Sequence, residues 1–284
     1  MTGEHLTFQL QAADGVGLAG QAWMPPAPRA LMVIVHGIAE HSGRYVFLAE
    51  RANARGLGVV SADLRGHGHS PGERSWVERF DDYLLDVDAL LTKAHQLGVG
   101  RPMFLMGHSM GGAIALRWLS QRRQSVAGLI LSSAALKIGG DVPRLLVALA
   151  PLLSRWLPHL RGTRIDPAVI SRDAAAVAAY VADPLVSLQA PPARTGAELL
   201  RMMAVNRAAA VNLTVPVYLF HGDADRLTDP AGSREICDLW GGPDRTLRLW
   251  PGSRHETLND LDREAVAAEL LTWVLARCLL PGGE

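Results

Sequence analysis

The sequence is poor in cysteine and lysine and has no excess of either charge. Its two cysteines, Cys237 and Cys278, are too few for a disulfide framework, so we expect both to be reduced thiols in a cytoplasmic protein. Lysine occurs only twice, so arginine supplies almost all of the positive charge. Basic and acidic residues balance at 28 each, without the basic excess typical of proteins that bind nucleic acid. We therefore expect no nucleic-acid partner.

No hydrophobic run in the chain is long enough to predict a membrane span. The most apolar stretch, 145–157, follows Arg144 and is interrupted by Arg155, which leaves far fewer than the roughly 20 apolar residues that a bilayer requires. The opening residues include Glu4 and His5 and lack a basic start followed by an apolar core, so they do not resemble a secretory signal. We expect neither a transmembrane helix nor export.

What the chain does contain is an alternation of apolar strands and helical segments. Short segments rich in apolar residues predict strands at 6–10, 16–23, 31–35, 57–63, 102–106, 129–132, 215–220 and 246–250, and helical segments are predicted at 82–97, 112–119 and 261–278. Asp14 and Gly15 predict a hairpin between the first two strands. Continuous apolar strands that alternate with helices indicate an α/β domain, with a mostly parallel central sheet and helices on both faces.

The alternation stops between residues 135 and 212. This segment has helix-like runs and scattered prolines but no convincing strand, and strands of the sheet precede and follow it. We therefore predict a core formed by residues 1–134 and 213–284, with residues 135–212 inserted as a helical cap. In an open parallel sheet such an insertion lies over the carboxyl ends of the strands, where ligands bind.

The pentapeptide Gly-His-Ser-Met-Gly at 107–111 is the most informative motif in the chain. An apolar strand precedes it and a segment rich in helix formers follows, so Ser109 is predicted to lie on a sharp turn between strand and helix. Glycine two residues to either side leaves room for the close approach of strand and helix that this turn requires. Because a serine in this position is typical of a nucleophile elbow, we predict a serine hydrolase.

The order of the strands predicts the histidine and the acid that a nucleophilic serine requires. In this topology the acid and then the histidine follow later strands of the sheet. After the last predicted strand the candidate base is His255, since it is the only histidine beyond His221. Three aspartates follow the preceding strand: Asp223, Asp225 and Asp229. The position just beyond the turn favours the second of them, although loop aspartates also cap turns and helices.

Two backbone N–H groups are predicted to hold the negative charge that develops on the substrate oxygen. One is the amide of Met110, which directly follows the serine. The other belongs to the loop after the strand at 31–35, where the amide of Ile38 is the candidate. For both residues the amide matters more than the side chain.

Several ordered motifs point to a known family. They read HGIAEHSGRY at 36–45, DLRGHGHS at 63–70, GHSMGG at 107–112, ADPL at 182–185 and HGDAD at 221–225, followed by His255. With these motifs the chain resembles the monoacylglycerol lipase branch of the α/β-hydrolases over nearly its whole length. The resemblance implies an α/β-hydrolase fold, and it assigns the acid to Asp225 and the second oxyanion donor to Ile38.

The resemblance also implies how a substrate is bound. It implies that Glu40 and Arg44 shape the polar end of a pocket that receives glycerol, and we place His108 with them as a substrate-binding residue. The chain departs from the family at Leu258, three residues after the catalytic histidine, where related lipases can carry a second histidine.

The activity implied is hydrolysis of monoacylglycerols to glycerol and free fatty acid through an acyl-enzyme on Ser109. The nearest rivals are a lysophospholipase and a broad carboxylesterase. A non-catalytic binding protein on a hydrolase fold is a further alternative, against which an intact Ser-His-Asp set argues. Serine, histidine, aspartate and water complete this chemistry, so no cofactor or metal is implied. His36, His67 and His69 lack a zinc-type pattern and are interpreted as structural loop histidines.

The leucine-rich segment at 142–157 of the predicted cap has two interpretations. Its apolar face can pack the cap against the core. It can also line an acyl-chain channel and present a surface that rests on lipid. Both can hold together, so the partners expected are a lipid-like ester substrate and a membrane contacted peripherally through the cap. The oligomeric state is left open.

Overall fold

The computed structural model describes residues 3–122, 126–140, 142–162 and 166–278. Its strands form one eight-stranded sheet: β1 Glu4–Gln11, β2 Gly17–Met24, β3 Ala30–Val35, β4 Leu57–Ala62, β5 Met103–His108, β6 Gly128–Ser132, β7 Val217–Gly222 and β8 Arg245–Trp250. Its α-helices are α1 Val46–Asn53, α2 Asp82–Leu97, α3 Met110–Gln121, α4 Arg144–Trp156, α5 Ala174–Ala182, α6 Ala193–Ala210, α7 Pro230–Leu239 and α8 Arg263–Arg277.

The strands lie in the order β1-β2-β4-β3-β5-β6-β7-β8. β1 and β2 form the antiparallel hairpin predicted around Asp14 and Gly15, and β2 pairs antiparallel with β4. From β4 to β8 every pair is parallel. The predicted mostly parallel sheet is therefore confirmed. Because parallel strands point the same way, the loops that follow β3, β5, β7 and β8 meet at one edge of the sheet.

Helices cover both faces of the sheet, which is why its central strands are buried and mostly apolar along their length. Successive side chains of a strand point to opposite faces. In β3, Val33 and Val35 pack with side chains of α2 and α3, whereas Met32 and Ile34 pack with those of α1 and α8. All residues of β3 are buried. A continuous apolar run is required here because neither face of the strand meets water.

The sequence pattern predicts some elements closely and others not at all. α2 occupies its predicted range, but neither α1 nor α7 is predicted. α1 spans eight residues and α7 ten, so each gives only a short signal in the sequence. β7 begins at Val217, two residues later than predicted, because Pro216 has no N–H group to contribute to the sheet.

Between β6 and β7 the described residues form helices α4, α5 and α6 but no strand of the sheet. α4 packs against α6, and α6 packs against α3 of the core. α6 buries Met202 and Ala210 among core side chains, and Asn206 donates a hydrogen bond from Nδ2 to the carbonyl of Ala113 in α3 (2.9 Å). The inserted segment is therefore tied to the core through α6. Within the described ranges, no helix has both the length and the hydropathy to cross a bilayer.

The substitution Gly111→Ala is expected to destabilise the fold. A Cβ at this position would lie 2.1 Å from the carbonyl oxygen of Val35 and 2.4 Å from that of His36, so α3 would have to move away from the end of β3. We expect the free energy of unfolding to fall by about 3 kcal/mol, measured by urea denaturation.

Gly196→Ala in α6 is the matched control for this substitution. Nothing lies within 4 Å of the Cβ that it adds, so the helix is expected to gain about 0.5–1 kcal/mol from the change. An equal loss of stability in the two variants would show that close packing at Gly111 is not the cause.

Candidate active site

Ser109 lies at the junction of β5 and α3 in a strained backbone conformation. Its φ is +52° and its ψ is −119°, which turns the chain sharply from strand into helix. Its amide donates to the carbonyl of Ser132 at the end of β6 (2.9 Å), and its carbonyl accepts from the amide of Ala135 (2.9 Å). A Cβ on Gly107 would lie 2.2 Å from the carbonyl oxygen of Gly111, so strand and helix approach each other closely. The end of β6 therefore holds the strained turn in place.

His255 and Asp225 are joined by a short hydrogen bond in the interior. His255 Nδ1 lies 2.7 Å from Asp225 Oδ2, and both residues are buried. Because a carboxylate only accepts, Nδ1 carries the proton of the neutral ring and Nε2 is its acceptor. The ring of His255 packs on that of His108, with 4.9 Å between centroids. The loops after β5, β7 and β8 thus bring Ser109, Asp225 and His255 to the same edge of the sheet.

Asp225 is held by residues that the sequence analysis does not identify. Its Oδ2 also accepts from His221 Nε2 (2.9 Å) and from Thr228 Oγ1 (2.8 Å), and its Oδ1 accepts from the amide of Leu227 (2.8 Å). His221 is oriented in turn by Ser233, whose hydroxyl donates to Nδ1 (2.8 Å). The signal available for His221 was its place at the start of the HGDAD motif, four residues before the acid.

The other two aspartates of the predicted acid loop have different roles. Asp223 accepts from the amide of Gly252 (2.6 Å) and so ties the loop after β7 to the loop after β8. Asp229 is the N-cap residue of α7. Of the three aspartates, Asp225 is the one that contacts His255.

The buried groups of the site shift one another's pKa. Burial raises the pKa of Asp225, but the charge of His255 and hydrogen bonds from His221 and His255 outweigh it and hold this pKa well below its usual range. Burial lowers the pKa of His255, and Asp225 more than reverses this effect, so the pKa lies above its ordinary 6.5. Burial, reinforced by the charge of His255, lowers the pKa of His108 to about 4. At neutral pH, Asp225 is therefore ionised and His108 is neutral.

The loop after β3 lies against Ser109. A Cβ on Gly37 would lie 3.2 Å from the Cβ of Ser109. The amide of Gly37 donates to Glu40 Oε1 (2.6 Å), which fixes the path of this loop. Ile38 is the next residue of the loop, and Met110 begins α3 directly after the serine. Both residues predicted to supply oxyanion amides are therefore neighbours of the serine turn, and their role stays a prediction.

His36 connects this loop to the loop after β4 through two hydrogen bonds. Its Nδ1 donates to the carbonyl of Gly37 (2.7 Å), and its Nε2 accepts from the amide of Leu64 in the loop after β4 (2.9 Å). The ring of His67 packs edge-on to that of His36, with 5.2 Å between centroids. Because both nitrogens of His36 have partners, this histidine joins two loops of the sheet edge.

Glu40 and Arg44 lie together in a buried charged cluster. Arg44 Nη1 lies 3.1 Å from Glu40 Oε2, and the guanidinium binds both carboxylate oxygens of Glu256 at 2.6 Å each. It also stacks on the ring of Tyr180, 4.6 Å from the centroid. Tyr45 donates its hydroxyl to Glu40 (2.9 Å). Burial raises the pKa of Glu40, but the charges of Arg44, His108 and His36 and the hydrogen bond from the amide of Gly37 together outweigh burial, so the pKa falls to about 2.

The three residues predicted to bind substrate line one small cavity. Its volume is about 10 Å³, which is near the space that one water molecule needs. Its walls are Glu40, Arg44, Tyr45, Phe47, Leu48, His108, Ser132, Glu256, Leu258 and Asn259. Leu258, where related lipases can carry a histidine, therefore contributes an apolar wall. Glu256 was not predicted, although it directly follows His255 in the sequence.

Comparison with known proteins identifies the family of the chain. Residues 26–262 match the Hydrolase_4 family, described as serine aminopeptidase, S33. The chain is 34% identical to a monoacylglycerol lipase of Mycolicibacterium smegmatis, over 92% of this chain and 94% of that protein. It is 35% identical to a monoglyceride lipase of Homo sapiens, over 95% and 90% respectively. A crystal structure of a Paleococcus ferrophilus monoacylglycerol lipase matches with a TM-score of 0.83 and 32% identity, over 92% of this chain and 99% of that one. The expected α/β-hydrolase fold is confirmed.

The substitution Asp225→Asn is expected to lower the pKa of His255. In the native protein the charge and hydrogen bond of Asp225, with the charges of Glu256 and Glu40, raise this pKa above 6.5 against the effect of burial. A neutral amide removes the largest of these raising contributions, and the effect of burial remains. We expect the imidazole to titrate above pH 6.5 in the wild-type protein and below it in the variant, as measured by NMR titration of the ring protons.

Asp223→Asn serves as the control, because Asp223 binds the amide of Gly252 instead of His255. A His255 pKa that is the same in Asp225→Asn and the wild type would contradict this electrostatic explanation.

The raised pKa of His255 also makes the stability of the fold depend on pH. The charged form of His255 contributes a stabilisation that is complete below pH 6.5 and is lost as the pH rises through the folded-state pKa.

Proposed function

The chain belongs to the monoacylglycerol lipase family of α/β-hydrolases, and on that premise we propose that it cleaves the ester bond of monoacylglycerols to give glycerol and a free fatty acid. It is a serine hydrolase. The observation that carries the proposal is the buried His255–Asp225 pair at the same sheet edge as the strained Ser109 turn. The substrate class comes from the lipases to which the chain is similar.

The first half of the reaction forms an acyl-enzyme. His255 Nε2 takes the proton of Ser109 Oγ as this oxygen attacks the ester carbonyl. Asp225 keeps the ring in the required tautomer and stabilises the imidazolium that forms. The amides of Ile38 and Met110 hold the oxyanion. When the tetrahedral intermediate collapses, the imidazolium gives its proton to the glycerol oxygen, and glycerol leaves.

The second half of the reaction repeats these steps with water. His255 Nε2 takes a proton from a water molecule whose oxygen attacks the carbonyl of the acyl group on Ser109. Collapse of the second tetrahedral intermediate returns the proton to Ser109 Oγ and releases the fatty acid. The chain's own side chains and backbone amides, together with water, supply every group that these steps use.

We place the leaving glycerol beside Glu40, Arg44 and His108, where the cavity of about 10 Å³ has to widen to receive it. Arg44 is already paired with the carboxylates of Glu40 and Glu256, so a phosphate that approached it would meet two negative charges. Neutral hydroxyl groups carry no such penalty. The charge of the cavity therefore favours a glycerol ester over a lysophospholipid.

Residues 135–212 are proposed to form a cap over the site. The amide of Ser187 donates to the carbonyl of Ala39 in the loop after β3 (2.9 Å). Further along the edge, the amide of Glu256 donates to the carbonyl of Ile170 (2.8 Å). These bonds join the inserted segment to the loops that contain Ile38 and His255, which supports its place above the carboxyl ends of the strands.

Helix α4 presents an apolar face that we assign to a lipid surface. Leu145, Leu152 and Trp156 are 71%, 55% and 69% exposed, whereas Ser154 on the inner side of the helix is buried. The guanidinium of Arg155 lies 5.5 Å from the ring centroid of Trp156. A tryptophan beside an arginine at the border of an apolar face is typical of helices that lie in a membrane interface. Monoacylglycerols partition into lipid, so contact there brings the site to its substrate.

Wild-type protein is expected to release fatty acid from monoacylglycerols faster than from a lysophospholipid or a diacylglycerol. Ser109→Ala is expected to lower the rate at least about 10⁴-fold, because the nucleophile is lost. Fatty-acid release across a monoacylglycerol series of varied chain length measures both points, and the best chain length reports the reach of the acyl channel.

Two outcomes of this assay would change the assignment. Equal or faster turnover of the lysophospholipid would move the protein to the lysophospholipases or broad carboxylesterases. If none of the lipids is hydrolysed in a Ser109-dependent way, the lipid-ester proposal is contradicted altogether.

The double substitution of Leu152 and Trp156 by serine is expected to weaken binding to lipid vesicles by at least about tenfold, because two large apolar side chains no longer enter the interface. Co-sedimentation with phosphatidylcholine vesicles measures the effect. Val99→Ser is the control, since Val99 is 74% exposed but lies before β5, at the opposite edge of the sheet. Equal weakening by the control would exclude α4 as the contact surface.

A further inference from the structure

Two consecutive residues of the loop after β8 reach different parts of the site. His255 points to Asp225, as described above, whereas Glu256 points to Arg44 in the short helical turn after β3. Glu256 is 5% exposed and is not part of the reaction steps given above. The proposed base, His255, is thus followed in the chain by a buried glutamate that is paired with Arg44.

Glu256 belongs to a chain of contacts that ends at the loop beside Ser109. Both of its oxygens accept from Arg44, at 2.6 Å each. Arg44 also donates to Glu40 (3.1 Å), and Glu40 accepts from the amide of Gly37 (2.6 Å). The loop that carries the base and the loop that carries a predicted oxyanion donor are therefore connected through one guanidinium.

The remainder of the loop after β8 is also closely held. Asn259 Nδ2 donates to Glu256 Oε2 (3.1 Å). The fully buried carboxylate of Asp260 accepts from the amides of Arg254 (2.8 Å) and Leu261 (2.8 Å) and from Ser253 Oγ (3.1 Å). These hydrogen bonds lie within the loop after β8 and fix its conformation. The pairing of Glu256 with Arg44 joins this loop to the loop after β3.

The cluster has an excess of negative charge beside the base. Two buried carboxylates, Glu40 and Glu256, face the single guanidinium of Arg44. Such charges are costly to bury unless each has a close partner, and a bidentate arginine pair supplies one. The excess charge lies where an imidazolium must form during each transfer of a proton from Ser109.

We propose that Glu256 is a positioning residue for the hydrolysis: its carboxylate locks the loop of His255 to the loop beside Ser109 and holds a negative charge next to the base. This inference rests on the proposed function, because it assigns Glu256 a role in that same reaction. Glu256 acts through Arg44 and His255 and does not touch the reacting atoms.

Several charged or titratable groups from different elements act on His255. Asp225 follows β7, His108 ends β5, Glu40 follows β3, and Arg44 reaches the base through Glu256. Burial lowers the pKa of His255, and Asp225 raises it most strongly, with Glu256 and then Glu40 adding to the rise. Removing the charge of Glu256 therefore moves the pKa of His255 downward.

The test measures how fast a fluorophosphonate labels Ser109 as the pH is varied. In this reaction Ser109 Oγ bonds to phosphorus, fluoride leaves, and His255 takes the serine proton, so no natural substrate is needed. The wild-type rate is expected to rise with pH as His255 loses its proton. Glu256→Gln keeps the size and one acceptor of the side chain, and Glu40 still balances Arg44. We expect this variant to shift the rise to lower pH by roughly one unit and to lower the plateau rate by roughly tenfold.

Two further variants separate charge from geometry. Glu256→Asp keeps the charge but is too short for the bidentate contact, so we expect a lower plateau with the rise at the wild-type pH. Glu264→Gln makes the same chemical change in the exposed bidentate pair of Glu264 with Arg51, and we expect it to behave as wild type. The Glu264→Gln control measures any general effect that the loss of one carboxylate has on the labelling rate.

A rise that stays at the wild-type pH in Glu256→Gln overturns the inference, whatever the plateau rate. If that variant does not fold, an unchanged plateau in Glu256→Asp overturns it and a lower one supports it. Failure of the fluorophosphonate to label even the wild type would contradict the proposed function itself. A labelled wild type with unaltered Glu256 variants would contradict only the role of Glu256.

Discussion

The close approach of α3 to the sheet after Ser109 is the constraint on which the rest of the structure depends. The chain passes from β5 into α3 through one residue with a φ of +52°. This is achievable only because Gly107 and Gly111 let backbone meet backbone, and because the carbonyl of Ser132 and the amide of Ala135 bind the strained residue. The strain is maintained by its surroundings, and the result is a serine held at the sheet edge where the other loops converge.

The polar side chains at this edge are buried, and each charge among them has a close partner. Asp225 collects hydrogen bonds from His221, Thr228 and His255, and Arg44 is held between two carboxylates. Groups bound in this way do not need to reorient when charge develops, which is the main way in which an enzyme stabilises a transition state. Burying these charges costs free energy, and in return the groups are already oriented for the hydrolysis that the family performs.

Local patterns predicted a large part of this arrangement. The strands β3 to β6 are mostly apolar runs bounded by turn residues, β8 alternates polar residues with Leu247 and Leu249, and α2 has a clear helical period, so each was visible in the sequence. Ser109 was visible because its turn requires glycines at fixed offsets, and His255 because one histidine follows the last strand. α1 and α7 were not visible, since a short or polar helix owes its stability to the core on which it packs.

The sequence by itself determined which residue types could act and in which order their loops follow the strands. Choosing Asp225 from three loop aspartates required the resemblance to a family, and the structure then placed it against His255. The partners of these residues were decided by tertiary structure alone. His221 turns inward to Asp225, and Glu256 reaches Arg44, a residue 212 positions away in the chain. The physical reason is that a buried charge is tolerated only beside its partner, and the packing of the whole chain decides which partner lies within reach.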